Sequence, residues 1–315
     1  MRKKSMAFLA LLAVLLTACG TSTTTSQTTA ASAKTTTTSK TTALCGTKAG
    51  PPTTSKVMVI WEENHGSASI IGSSSAPYIN QLANDCGLAT NYDAINHPSL
   101  PNYMAITSGL QYASPWTSDC DAGGSCLTGN HNIFDQVGPS GWKSYAESMN
   151  GNCQFSSAGP YATKHNPAPY YVDVAAACAT NDVPLGTTST GALRTDVANG
   201  MLPTFSTVTP NLNNDMHDGS IAQGDSWLGS WIPQITAGSD YRSGHLTIII
   251  TWDEDEGTAT NQVTTIVMSP YTPVGTKSAT HFTHFSTLKS AEQVAGVPQL
   301  DNAASANSLR PAFGF

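Results

Sequence analysis

Two acidic turns, a serine poised at a helix start and several loop histidines are the residues of this chain best able to do chemistry. Glu62-Glu63-Asn64-His65 follows the apolar run at residues 57–61, and Asp253-Glu254-Asp255-Glu256 follows a second run at residues 246–252. Crowded carboxylates repel one another unless a cation or protons neutralise them, so two matched clusters point to a metal-assisted site. Either cluster alone reads better as a solvated loop after a strand; it is the matched pair that favours a site. In His97-Pro98-Ser99-Leu100-Pro101-Asn102-Tyr103 the two prolines restrict the backbone and delay a helix until Pro101. Ser99 then stands just before a helix N-terminus, where the dipole and free N–H groups favour a phosphate or a developing oxyanion. Residues 211–220 are dense in Asn, Asp and His, with a helix cap expected at Asp218 or Ser220. Of the eight histidines, His97, His165, His217, His281 and His284 fall in loop contexts. Beside the serine and the carboxylates they outline a phosphoryl-transfer site.

Such a site needs strands to carry it. The runs at 57–61 and 246–252 are continuous, apolar and rich in β-branched residues, which predicts strands buried on both faces of a parallel sheet. In open α/β sheets the ligand site lies outside the carboxyl ends of the strands, where both acidic turns emerge. Further strands are expected at 89–95, 206–210 and 263–268. Helices are expected at 76–83, 102–107, 221–235 and from His281 to about 294.

Arg2, Lys3 and Lys4 precede a short apolar stretch at 6–16, and Leu16-Thr17-Ala18-Cys19 places small residues before a cysteine. This is the pattern of a lipoprotein signal, with residues 1–18 removed and lipid carried by Cys19. Residues 19–44 are almost all Thr, Ser, Ala and Lys. They cannot bury enough surface to offset ordering entropy, so a disordered tether is expected, followed by one catalytic domain at 45–315. Cys45, Cys86, Cys120, Cys126, Cys153 and Cys178 form an even set, which in an exported chain favours disulfides. Proximity suggests Cys120 with Cys126 and Cys153 with Cys178, leaving Cys45 for Cys86, though other pairings stay open. The formal charge is -7, and it becomes -10 once Arg2, Lys3 and Lys4 leave with the signal. With no basic stripe, a nucleic-acid partner is not expected, and an anionic substrate would need a local metal or histidine cluster.

The series Glu62-Glu63-Asn64-His65, His97-Pro98-Ser99-Leu100-Pro101-Asn102-Tyr103, Lys164-His165-Asn166-Pro167, Asn213-Asn214-Asp215-Met216-His217-Asp218-Gly219 and Thr251-Trp252-Asp253-Glu254-Asp255-Glu256-Gly257 resembles the phosphoesterase family. That family holds secreted acid phosphatases and phospholipase C enzymes. The chain looks closest to exported acid phosphatases of the phosphatidylinositol-3-phosphatase type. The resemblance runs in order over residues 57–298. It implies an α/β fold of the alkaline-phosphatase-like superfamily, a mostly parallel sheet with helices on both faces. It also implies Ser99 as the nucleophile, Glu63 and Asn64 as a metal-binding pair, and Asp253 and Glu254 as the second acidic pair. His217 and His284 are implied to face the phosphate or a second metal, and Asn132 to support the phosphoryl oxygens. His97 and His165 complete the catalytic candidates.

Dizinc members of the wider superfamily pair Asp with His at both metal positions, whereas here the matching residues are Glu-Asn and Asp-Glu. Hard oxygen ligands favour Ca²⁺, Mg²⁺ or Mn²⁺ over Zn²⁺, with one metal expected. The expected activity is hydrolysis of phosphate monoesters, on small molecules or phospholipid head groups, through a phosphoserine intermediate. The alternatives are a phospholipase C or other phosphodiesterase and, in another class, a non-enzymatic ligand-binding surface lipoprotein. Membrane attachment is expected only through lipid on Cys19.

Overall fold

The computed structural model describes residues 43–112 and 115–315. The expected signal peptide, the lipid site at Cys19 and the tether up to residue 42 lie outside the described residues. Among the described residues no helix is long and apolar enough to cross a membrane.

The described residues form ten strands: β1 Lys56–Glu62, β2 Gly87–Ala89, β3 Tyr92–Asp93, β4 Trp142–Ala146, β5 Asp182–Pro184, β6 Phe205–Thr209, β7 Leu246–Trp252, β8 Thr265–Met268, β9 Thr276–Ser278 and β10 Phe282–Thr283. Eight of them form one sheet in the order β5-β4-β6-β1-β7-β8-β2-β9, while β10 and β3 pair as a separate parallel ribbon. Every pairing in the large sheet is parallel except those of β8, which runs against β7 and β2. The sheet is therefore mostly parallel. The two apolar runs are its central strands, with every residue of β7 buried. Burial of each such Val, Ile or Leu side chain contributes roughly 1.5–3 kcal/mol.

Alternation along β1 separates the two helical layers. Trp61 packs on Tyr103 of the helix Leu100–Ser108 and on His284 of the helix His284–Ala295, with ring centroids 4.2 and 5.8 Å away. Glu62 points to the other face. There, burial first, and then the charges of Asp215, Glu147 and Asp225, hold its carboxyl well above the usual range. Asp225 belongs to the helix Ile221–Ala237 and accepts the Ile79 N–H at 2.8 Å, tying in the helix Pro77–Asp85. The expected α/β architecture with helices on both faces is present.

Two expected elements are divided differently. The strand expected at 89–95 is broken at Thr90 and Asn91, whose side chains bond the carbonyls of Ser278 and Ala279 and carry the chain from β2 into β3. The helix expected from His281 begins at His284, because Phe282 and Thr283 pair with β3 and Thr283 caps the helix. Among the described residues the disulfides are Cys45–Cys86, Cys120–Cys126 and Cys153–Cys178, the pairing that proximity suggested.

Candidate active site

The parallel register of β1 and β7 pairs Glu62 with Trp252, so Glu63 and Asp253 leave the sheet side by side. The Asp253 N–H donates to the Glu62 carbonyl at 3.0 Å, and the Glu63 N–H donates to the Asp215 carbonyl at 2.7 Å. Three turns after three neighbouring strands are thus laced together at the carboxyl edge. Asn64 adopts φ +47°, a left-handed conformation that asparagine tolerates better than most residues. That turn brings its amide oxygen to 2.8 Å from Glu63 Oε2 and 3.2 Å from Asp253 Oδ1. These are three facing acceptors. Reversing the amide would satisfy them with N–H, and a cation would satisfy them as they stand.

Ser99 is the N-cap residue of Leu100–Ser108, but its side chain makes no capping bond. Its hydroxyl is buried and lies 3.2 Å from Glu63 Oε2 and 3.3 Å from Glu254 Oε1. Glu254 also meets His97 Nδ1, and His97 Nε2 lies 3.6 Å from Asp255 Oδ1. One helical turn after Ser99, Tyr103 donates its phenol to Glu63 Oε1. His165 stacks on Tyr103 at 5.3 Å and is sandwiched between carboxylates, with Nε2 3.3 Å from Glu63 Oε2 and Nδ1 3.3 Å from Asp215 Oδ2. His217 extends this column toward solvent, its ring 5.7 Å from that of His165 and its Nδ1 2.7 Å from Asp218 Oδ1.

Electrostatics at this edge are costly without a counter-ion. Burial, reinforced by Asp253 and Asp215, holds the Glu63 carboxyl well above its usual range. Burial and then Glu254 do the same to Asp253. Burial pushes Asp215 up to about 7. Burial and the charge of Lys164 hold His165 well below the usual imidazole value. Asp253 Oδ2, Asp215 Oδ2 and His165 Nε2 are buried without hydrogen-bond partners. Glu63, His165 and Asp215 offer ligand atoms that lie within 4.8 Å of one another, a candidate metal-binding group. The orphaned atoms and the facing oxygens at Asn64 fit a bound cation.

The structure therefore brings Glu63, Asn64, Asp253, Glu254, Ser99, His97, His165 and His217 to one edge. His284 stands behind that edge. Its Nε2 lies 2.7 Å from the Asp253 carbonyl oxygen and its Nδ1 3.1 Å from the Tyr92 hydroxyl, and burial pushes it down to about 4. With both ring nitrogens engaged it faces no phosphate, contrary to the expected role. Asn132 is not brought to the site either. Its amide oxygen accepts the Asp135 N–H at 3.0 Å, capping the helix Ile133–Val137, and its NH₂ bonds Asn130 and Asp173. Sequence reasoning passed over Asp215 and Tyr103. Tyr103 stands four residues after Ser99, hence on the same helical face, and Asp215 sits in the ligand-dense loop before His217.

The Phosphoesterase family model matches residues 72–298. A phosphatidylinositol-3-phosphatase of Mycobacterium tuberculosis is 33% identical over 267 residues, covering 84% of this chain and 84% of the relative. An acid phosphatase of Aspergillus fumigatus is 30% identical over 235 residues, covering 70% of this chain and 50% of the relative, so the chain spans half of that protein. Among solved structures, a protein in the alkaline phosphatase superfamily from Vibrio parahaemolyticus aligns with a TM-score of 0.53 and 14% identity over 82% of this chain and 71% of that one. The likeness at that identity is one of fold. This chain belongs to the phosphoesterase family, and its class of reaction is phosphoric ester hydrolysis.

Proposed function

We propose that this protein is an exported, metal-assisted acid phosphatase that hydrolyses phosphate monoesters through a phosphoserine at Ser99. The observation that carries the reading is the Ser99 hydroxyl, buried at a helix start within 3.3 Å of both Glu63 and Glu254. A divalent cation held by Glu63, Asn64, Asp253 and Glu254 would supply Lewis acidity at the transferring phosphoryl group and favour the ionised serine. The oxygen-rich ligand set favours Ca²⁺, Mg²⁺ or Mn²⁺.

In the first half-reaction Ser99 Oγ gives its proton to Glu254 and bonds to phosphorus as the bond from phosphorus to the substrate alcohol breaks. His217, partly exposed and beside Asp218, donates a proton to the departing oxygen. In the second half, water attacks the phosphoserine and gives its proton to His217. Ser99 leaves and recovers its proton from Glu254, and inorganic phosphate departs. The first half needs His217 as an imidazolium, the form that carries the proton to be given up.

Substrates are small phosphate esters or phospholipid head groups, a range supported by the substrate named for the mycobacterial relative. The basic start, the short apolar stretch and Cys19 support export with lipid attachment. The test is p-nitrophenyl phosphate turnover across pH, with and without chelator, beside a phosphocholine diester. Metal-dependent turnover of the monoester is expected. Turnover of the diester alone would replace this reading with a phosphodiesterase, and turnover of neither would leave a binding protein.

A further inference from the structure

The proposed site is crowded with negative charge, and a phosphate monoester brings two more. The Lys164 ammonium is tied through Asp119 to the first peptide after Ser99. Lys164 precedes His165 in the turn Thr163–His165, and His165 Nε2 lies 3.3 Å from Glu63 Oε2. Lys164 Nζ donates to Asp119 Oδ2 at 2.9 Å. An ammonium has three donors, and among the described residues the other two have no partner.

Asp119 is held with care. Its other oxygen, Oδ1, accepts the Leu100 N–H at 3.0 Å, the first peptide after Ser99. Its backbone stands at φ +48°, an uncommon conformation for aspartate that the neighbouring contacts must support. The Cys120–Cys126 disulfide begins at the next residue, and the Tyr170 hydroxyl donates to the Cys120 carbonyl. Two residues on, Asp121 Oδ1 accepts the Ser157 hydroxyl at 2.9 Å, and Ser157 Oγ accepts the Thr163 N–H at 3.1 Å. These contacts fasten the segment carrying Asp119 to the segment carrying Lys164. The carboxylate of Asp119 is thus a link between the nucleophile's helix and Lys164.

We propose that Lys164 binds the non-bridging oxygens of the transferring phosphoryl group and makes the site selective for monoester dianions over diester monoanions, with Asp119 as its positioning residue. This rests on the phosphatase reading above. An ammonium aimed at those oxygens interacts more strongly with two negative charges than with one, so its loss falls mainly on monoesters. The preference would then be written in the turn before His165, not in the metal ligands.

The test uses the full chain with added divalent cation. kcat/KM is measured for p-nitrophenyl phosphate and for bis(p-nitrophenyl) phosphate in the wild type, Lys164→Met, Lys164→Gln and Asp119→Asn. Binding of inorganic phosphate is measured separately by calorimetry. Lys164→Met is expected to lose about 100-fold on the monoester and only about fivefold on the diester, with phosphate affinity weakened at least tenfold. Asp119→Asn should move the same ratio in the same direction by a smaller factor. Lys164→Gln keeps a donor to Asp119, so it preserves the fold if Lys164→Met does not, and it should still lose the monoester preference. Equal losses on both esters, or unchanged phosphate affinity, in a folded Lys164 variant would overturn the inference while leaving the phosphatase reading intact. A wild type that turns over neither ester would overturn both.

Discussion

His284 Nε2 lies 2.7 Å from the carbonyl oxygen of Asp253, so a fully buried imidazole on one helical layer props the acidic turn that follows β7. The Tyr92 hydroxyl fixes the other nitrogen and in turn meets Thr287 Oγ1 at 2.8 Å. His284→Ala should therefore act first on structure. Loss of a buried, fully bonded group costs about 1–3 kcal/mol. A lowered melting temperature with weakened metal affinity is expected, and His284→Gln should recover part of both. A melting temperature equal to wild type, with turnover abolished, would make His284 a participant in the chemistry.

The metal hypothesis has a readout apart from turnover. A cation that binds only the folded chain at about a hundredfold over its Kd adds about 2.7 kcal/mol to stability. Ca²⁺, Mg²⁺ or Mn²⁺ should raise the melting temperature of chelated protein at least as far as Zn²⁺ does. Glu63→Ala, Asn64→Ala and Asp253→Ala should each shrink that rise. An undiminished rise in all three would place the ion elsewhere, and a rise with Zn²⁺ alone would refute the oxygen-ligand argument.

Much of this site is legible in the chain because its positions are set by local rules. The runs before Glu63 and Asp253 are apolar on both faces, which only a central parallel strand can accommodate, and that alone puts the two turns at one edge. Ser99 at a helix start follows from the spacing of Pro98 and Pro101. What escapes depends on partners distant in sequence. The break at Thr90 and Asn91 answers to carbonyls of Ser278 and Ala279. Asn132 and Asp135 carry a capping signature that competes with a phosphate role, and the cap prevails. His284 reads like a loop ligand until β10 pairs with β3 and turns the residue inward.

The pH dependence of stability should reverse when the cation is removed. Burial raises Asp215 from 3.8 to about 7 in the folded chain, and Glu63 and Asp253 move in the same direction. The folded, metal-free protein then holds protons that the unfolded chain has lost. The stability from these groups is complete below the ordinary carboxylate range and is lost as pH rises through about 7 for Asp215. His284 works the other way. Burial lowers it from 6.5 to about 4, so its contribution is complete above 6.5 and is lost as pH falls through about 4. Glu62, Glu63, Asp215 and Asp253 are raised while His165 and His284 are lowered, and four such carboxylates against two histidines predict that chelated protein melts higher near about pH 5.5 than near about pH 8. Added cation should cancel or invert the difference. A chelated protein most stable near about pH 8 would argue that these carboxylates are ionised in the fold without help.

The strongest demand falls on Ser99. Its hydroxyl makes no cap bond to its own helix and points at Glu63 and Glu254, an arrangement with little value for folding and a clear one for attack on phosphorus. Ser99→Ala should keep its fold, within the ~0.5–3 kcal/mol common to point mutants, because Pro98 and Pro101 still restrict the backbone. It should keep its cation-induced rise in melting temperature, since Asn64 and Asp253 are untouched. Turnover of p-nitrophenyl phosphate should fall by at least about a thousandfold, as expected when a covalent nucleophile is removed. Acid quenching of the wild type during turnover of a ³²P-labelled monoester should leave acid-stable label on the peptide containing Ser99. Acid-labile label on a histidine would move the covalent step away from Ser99, with His97 the first residue to test, since it shares Glu254 with the serine. Substantial turnover in Ser99→Ala would remove this turn from the catalytic centre altogether.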